Sequence, residues 1–96
     1  MTETDLMHEV YRLCDGLGLS CFHSTDARLD HGPGFPDLVI AGLQGLVFAE
    51  LKAEYGTLDR EQTVWRYRLI SAGQRHYVWR PSDLASGQIR DTLESL

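Results

Sequence analysis

Two β-favouring runs, residues 37–41 and 46–53, flank the tetrapeptide Gly42-Leu43-Gln44-Gly45. Apolar, β-branched segments on either side of a Gly-bounded turn read as a β-hairpin, and this hairpin fixes what the rest of the chain must do. Side chains alternate along a strand. In the second run Val47, Ala49 and Leu51 therefore share the natural core face, while Phe48, Glu50 and Lys52 share the other. If Gly42 pairs with Gly45, the register sets Asp37 directly opposite Glu50, with Cβ atoms ~5 Å apart. Two carboxylates so placed repel each other, and a positive charge between them relieves the cost.

The other elements are read around this ribbon. Leu6, Val10, Leu13 and Leu17 recur at helical spacing and predict a helix over 4–15, with Thr4 as N-cap and Gly16 and Gly18 as the stop. Glu9 falls at the edge of its apolar stripe. Residues 19–24 read as a short strand, and 25–35, polar and rich in Gly and Pro, as a loop. Asp59 and Gln62 have the spacing of a capping box and open a second helix over 60–72, whose apolar stripe is Trp65, Leu69 and Ala72. A strand follows at 74–80, stopped by Pro81, then a short helix over 86–96 with Ile89 and Leu93 facing in. The order α-β-β-β-α-β-α, with a helix linking the last two strands, predicts an α/β domain with a mixed sheet flanked by helices.

At 96 residues and 43% hydrophobic, the chain is long enough for one core and too short for two, so 1–96 is read as a single domain. No apolar run approaches a membrane span, and the acidic N-terminus is unlike a signal or transit peptide, so no membrane is expected and the expected location is intracellular and cytoplasmic. Cys14 and Cys21 are the two cysteines that could pair, and they read as buried free thiols. Together with His23 and His31 they lack the paired spacing of structural zinc. The absence of a GxSxG elbow and of a Gly-rich phosphate loop argues against a serine hydrolase and against ATP use.

Net charge is −5, which at first disfavours nucleic acid. The charge is unevenly spread: within 60–80, Arg60, Arg66, Arg68, Arg75 and Arg80 face Glu61 alone, while Lys52 is the single lysine of the chain. The arginines fit either contact with a DNA backbone or an ordinary solvated face. Arg28 and His31 in the long loop fit either contact with DNA or an ordinary surface loop, and the aromatics Tyr67, Tyr77 and Trp79 either an exposed recognition face or the core.

Taken singly, Asp37, Glu50 and Lys52 are ordinary strand residues, and Asp37 with Lys52 would make a weak diagonal salt bridge. Together they suggest a divalent cation. Mg²⁺ takes hard oxygen donors, usually one or two carboxylates with water and phosphate. Lys52 is placed to activate water or neutralise charge on a phosphate, Gln62 to hydrogen-bond the phosphate or the water, and Glu9 to approach as a further acid.

The ordered set Gly34-Phe35-Pro36-Asp37-Leu38, Phe48-Ala49-Glu50-Leu51-Lys52 and Leu58-Asp59-Arg60-Glu61-Gln62 resembles the PD-(D/E)XK nuclease superfamily. It is most similar to the virus-type replication-repair nuclease (VRR-Nuc) branch, also through His23-Ser24-Thr25 and Val78-Trp79-Arg80-Pro81. The resemblance covers nearly the whole chain and implies a restriction-endonuclease-like core. It implies Asp37, Glu50 and the Leu51 backbone carbonyl as metal ligands, Lys52 at the nucleophilic water, Gln62 near the scissile phosphate, and Glu9 as the first-helix acid. The implied reaction is Mg²⁺- or Mn²⁺-dependent hydrolysis of DNA, selective for branched or junction structures, with Arg28, Arg60, Arg66 and Arg68 on the DNA. A homodimer is implied where both strands are cut, as are a replication or repair protein as partner and a viral or bacterial origin. The alternative within the same fold is a catalytically idle module that binds DNA or another protein.

Overall fold

The hairpin closes as its glycines require: the Gly42 N–H donates to the Gly45 carbonyl at 2.9 Å. In the computed structural model, which describes residues 1–24 and 32–96, its strands are β2 (Leu38–Ala41) and β3 (Leu46–Leu51). They pair antiparallel as Leu38↔Ala49, Val39↔Phe48, Ile40↔Val47 and Ala41↔Leu46, the register that the glycine pairing predicts. In front of them come α1 (Glu3–Leu17) and β1 (Ser20–His23), and after them α2 (Arg60–Ser71), β4 (Arg75–Trp79), α3 (Pro81–Ala85) and α4 (Gln88–Glu94). The sheet runs β1-β2-β3-β4, with β1 antiparallel to β2 and β4 parallel to β3 across the α2 crossover. This is the mixed α/β sheet flanked by helices that the sequence predicts. Among the described residues no helix is long and apolar enough to cross a membrane.

The alternation of β2 and β3 assigns the two faces. Leu38, Ile40, Val47, Ala49 and Leu51 are buried on one side, where they meet Leu6, Val10 and Cys14 of α1 and Ile89 and Leu93 of α4. Each such side chain contributes roughly 1.5–3 kcal/mol by leaving water, so this face carries most of the stability. Trp79 of β4, paired with Leu51, completes it.

The opposite face is covered by α2 and is built differently. The stripe predicted for that helix is only partly buried: Trp65 and Leu69 are half-buried, Ala72 is exposed, and no residue of α2 is fully buried. The surface beneath it mixes Val39, Phe48 and Val78 with the buried polar groups Glu50 and His76. Arg66 lies over β4, its Nη1 2.8 Å from His76 Nδ1 and donating to the His76 carbonyl at 3.0 Å. Phe35 fills the remaining space, edge-on to Phe48 at 6.0 Å and to Trp65 at 5.0 Å between ring centres.

Several boundaries differ from the sequence reading for identifiable reasons. The N-cap of α1 is Thr2, not Thr4, because Thr2 and Asp5 exchange side-chain and backbone hydrogen bonds in a capping box. Pro81 stops β4 and also starts α3, where its missing N–H is no loss at the first helical position. Gly87, with φ at 85°, separates α3 from α4, so the single helix expected over 86–96 is two short ones. Arg28 and His31 lie outside the described residues.

Candidate active site at the end of the hairpin

Asp37 stands one residue before β2, and one further step of the β2–β3 register sets it against Glu50. The geometry there is anchored by backbone: Asp37 Oδ2 accepts the Leu51 N–H at 2.8 Å, so its side chain completes the ladder at the point where β2 stops. The Lys52 N–H donates to the Trp79 carbonyl at 3.0 Å, carrying the β3–β4 pairing one residue past the end of β3. These bonds hold the ends of three strands together where the charged residues emerge.

Glu50 is 3% exposed, one of two buried polar or charged residues in the described core. Burial pushes its carboxyl up to about 8, and the Asp37 charge and a hydrogen bond with Asp37 push the same way; Lys52 opposes and Glu3 adds slightly. Two acids and an ammonium thus sit within each other's fields. A carboxyl that keeps its proton to about pH 8 for lack of water and beside a second acid is a group that a cation would ionise.

Gln62 reaches this pair from the other side. Its Nε2 donates to Glu50 Oε1 at 2.8 Å, while its Oε1 accepts the Asp59 N–H at 3.0 Å and its own N–H donates to Asp59 Oδ1 at 2.8 Å. The capping box that starts α2 and the hydrogen bond that orients Glu50 are therefore made by one amide. The first turn of α2 is set in position by Gly34. This residue has φ at 87°, and a Cβ there would lie 2.4 Å from the Glu61 carbonyl carbon and 2.6 Å from the Gln62 nitrogen. The segment carrying Gly34, Phe35, Pro36 and Asp37 thus packs directly on the helix that carries Gln62.

A pocket of about 170 Å³ opens beside Asp37, lined by Glu3, Thr4, Met7, His23 and Leu51. Glu50 and Lys52 do not line it; Glu50 faces α2, and Asp37 at the strand end meets both sides. Glu9 is not brought here. It pairs with Arg12 on the outer side of α1. The acid that α1 offers to the pocket is Glu3, the residue directly after the Thr2 cap, which helical spacing did not single out because it lies in the polar first turn. Among the described residues no group of three or more His, Cys, Asp or Glu side chains is arranged to hold a metal by itself. An ion at the Asp37–Glu50 pair would need other oxygens to complete its shell.

The arginines divide. Arg60 and Arg68 are exposed on α2. Arg66 is occupied by His76, Arg80 donates to the Gly56 carbonyl at 2.8 Å, and Arg75 stacks on Tyr77, its guanidinium carbon 5.6 Å from the ring centre. Of the aromatics, Tyr67 is exposed, Tyr77 half-buried and Trp79 buried.

No family model matches the chain, and no curated protein matches it in sequence. Among solved structures it is similar to Hjc of Archaeoglobus fulgidus, a Holliday junction resolvase from an archaeal hyperthermophile. The TM-score is 0.54 at 18% identity, over 82% of this chain and 65% of the resolvase. The likeness is one of fold, and this chain matches somewhat less than two thirds of the resolvase's length.

Proposed function

We propose that the chain is a divalent-metal-dependent nuclease of the PD-(D/E)XK type, in its VRR-Nuc branch, that hydrolyses DNA phosphodiester bonds at branched or junction structures. The observation that carries this reading is the buried Glu50 carboxyl, hydrogen-bonded by Gln62, set against Asp37 by the strand register and within the field of Lys52 at the open end of the hairpin. Few structural roles call for two acids in contact with one of them desolvated, whereas a hard cation suits both. The fold shared with a Holliday junction resolvase supports branched DNA as the substrate class.

Asp37, Glu50 and the Leu51 carbonyl would hold Mg²⁺ or Mn²⁺, and their oxygen donors fit such an ion. A bound ion of this kind supplies Lewis-acid activation of water and neutralises charge on the phosphate. The chain's own groups do the rest. With such an ion bound, Glu50 would be held ionised and would offer a second negative oxygen donor beside Asp37. Lys52 stabilises charge developing on phosphate oxygens or holds the attacking water. Gln62 is a positioning residue, since both ends of its amide are already engaged on Glu50 and Asp59. Arg60 and Arg68 offer exposed charge to the DNA backbone. Arg66 is engaged by His76, and Glu9 pairs with Arg12, apart from the residues that line the pocket beside Asp37.

The test is a cleavage assay of the purified chain on a four-way junction and on linear duplex of the same sequence, with Mg²⁺, with Mn²⁺ and with chelator. Metal-dependent cutting of the junction is expected. Asp37→Ala and Lys52→Ala should abolish it while DNA binding persists. Cutting by either variant at the parent rate overturns the site assignment, and binding without cutting by the parent chain favours a catalytically idle DNA-binding module.

A further inference from the structure

The proposed chemistry leaves the two cysteines unused, yet the fold brings them together. Cys14 is on the buried stripe of α1 and is 1% exposed. After α1 the chain reverses at Gly18, whose φ of 71° is left-handed, and the Leu19 N–H donates to the Cys14 carbonyl at 2.9 Å. This turn lays β1 back along the helix. Cys21 pairs with Ile40, a fully buried residue, so its side chain points to the α1 side of the sheet.

The two thiols are not equivalent. Cys21 packs against the buried cluster that contains Cys14. The neighbouring Cys21 sulfur and burial drive Cys14 up, while the Cys14 thiol holds Cys21 below the ordinary thiol range. Cys21 is half-buried and lines a groove of about 240 Å³ with Tyr11, Asp15 and Leu19. One sulfur is thus open to small molecules and biased toward thiolate, packed against the core cluster that holds the shielded Cys14 thiol. That is the arrangement of an attacking and a resolving cysteine.

We propose that Cys14 and Cys21 are a site of reversible oxidative modification, in which a peroxide converts the pair to a disulfide that joins α1 to β1. The Cys21 thiolate attacks one peroxide oxygen, the O–O bond breaks, and water leaves after taking up a proton. Cys21 is oxidised to a sulfenic acid and the peroxide is reduced. The Cys14 sulfur then attacks the Cys21 sulfur. The S–O bond breaks, hydroxide leaves with the Cys14 proton as water, and the S–S bond forms. The bond ties together the elements that supply both walls of the pocket beside Asp37: Glu3, Thr4 and Met7 from α1, and His23 from the end of β1. The inference does not depend on nuclease activity.

The experiment treats the reduced chain with hydrogen peroxide and follows free thiols, intact mass and non-reducing electrophoresis, then maps peptides. Both thiols should disappear together within a monomer, a linked Cys14–Cys21 peptide should appear, and dithiothreitol should restore the starting mass. Cys14→Ala, checked for its fold by circular dichroism, should stop at a Cys21 sulfenic acid that dimedone traps. Mapping of the unsubstituted chain carries the test if that variant does not fold. A persistent sulfenic acid on Cys21 with Cys14 still reduced overturns the proposal, as does oxidation only to disulfide-linked dimers or the absence of reaction at Cys21.

Discussion

Replacing Glu50 with Gln removes one ionisable proton and little else. The side chains are nearly isosteric, Gln62 can still donate to an oxygen at position 50, and the Asp37 carboxylate can accept from the new amide. In the parent chain the folded-state carboxyl titrates at about 8, against an ordinary value of 4.5. Its pKa is raised, so between these values the folded state holds a proton that the unfolded state has released. Stability therefore falls as pH rises through that window. The accumulated cost at pH 8 is about 4 kcal/mol when worked from that shift. Well below pH 4.5, at about pH 3, the parent Glu50 is neutral in both states and the variant should match it. At pH 8 Glu50→Gln should be the more stable protein, by up to about 4 kcal/mol, which for a domain of this size raises Tm on the order of 15 °C or more. The assay is urea unfolding followed by tryptophan fluorescence in chelator at both pH values, repeated with Mg²⁺. The cation should stabilise the parent at pH 8 and leave the variant unchanged. A variant less stable than the parent at pH 8, or a gap of the same size at both pH values, refutes the picture of a desolvated carboxyl waiting for a cation.

Other outcomes follow from the same geometry. Gly34→Ala, which places a methyl against the backbone of Glu61 and Gln62 at a left-handed φ, should cost about 2 kcal/mol or more in denaturant unfolding and reduce metal-dependent cleavage with it. His76, buried and facing the Arg66 guanidinium, is pushed down to about 4, so the unfolded chain takes up its proton first as pH falls. Stability should be lost between pH 6.5 and 4, by about 3 kcal/mol in all, and the slope should vanish in His76→Gln when unfolding is measured across that range. Arg66→Ala should destabilise by about 1–3 kcal/mol, because it strips the partner from His76. Arg68→Ala should leave unfolding within about 0.5 kcal/mol and instead lower the salt slope of DNA binding by about one, as fluorescence anisotropy against salt would read.

The parts of this molecule that the sequence made legible are those governed by short-range rules. Glycines at 42 and 45 set a register, strict alternation assigned Val47, Ala49 and Leu51 to the core, and the Asp59–Gln62 spacing announced the start of α2. Each rule acts over a few residues and meets no competitor. The readings that changed depend on contacts between distant segments. Glu3 and Glu9 are both acids of α1, about 120° apart around the helix, and only the placement of α1 against β1 and Asp37 shows which one looks into the pocket. Arg66 and Arg68 differ by two positions on a helix, yet one is committed to β4 and the other points to solvent, a distinction set by how α2 lies on the sheet. The α2 stripe is less buried than its spacing predicts because Trp65 and Leu69 cover a face where Glu50 and His76 sit among Val39, Phe48 and Val78.

The Gln62 amide gives the site an additional property. Since the same group ties off the first turn of α2 and steadies the Glu50 carboxylate, that turn cannot unwind without releasing the acid, and the acid cannot reorient without loosening the turn. Winding of the helix end and readiness of the carboxylate are one equilibrium. A DNA arm that grips Arg60, in the first turn of α2, would pull on that equilibrium directly and could set the pace of cutting from outside the reacting groups.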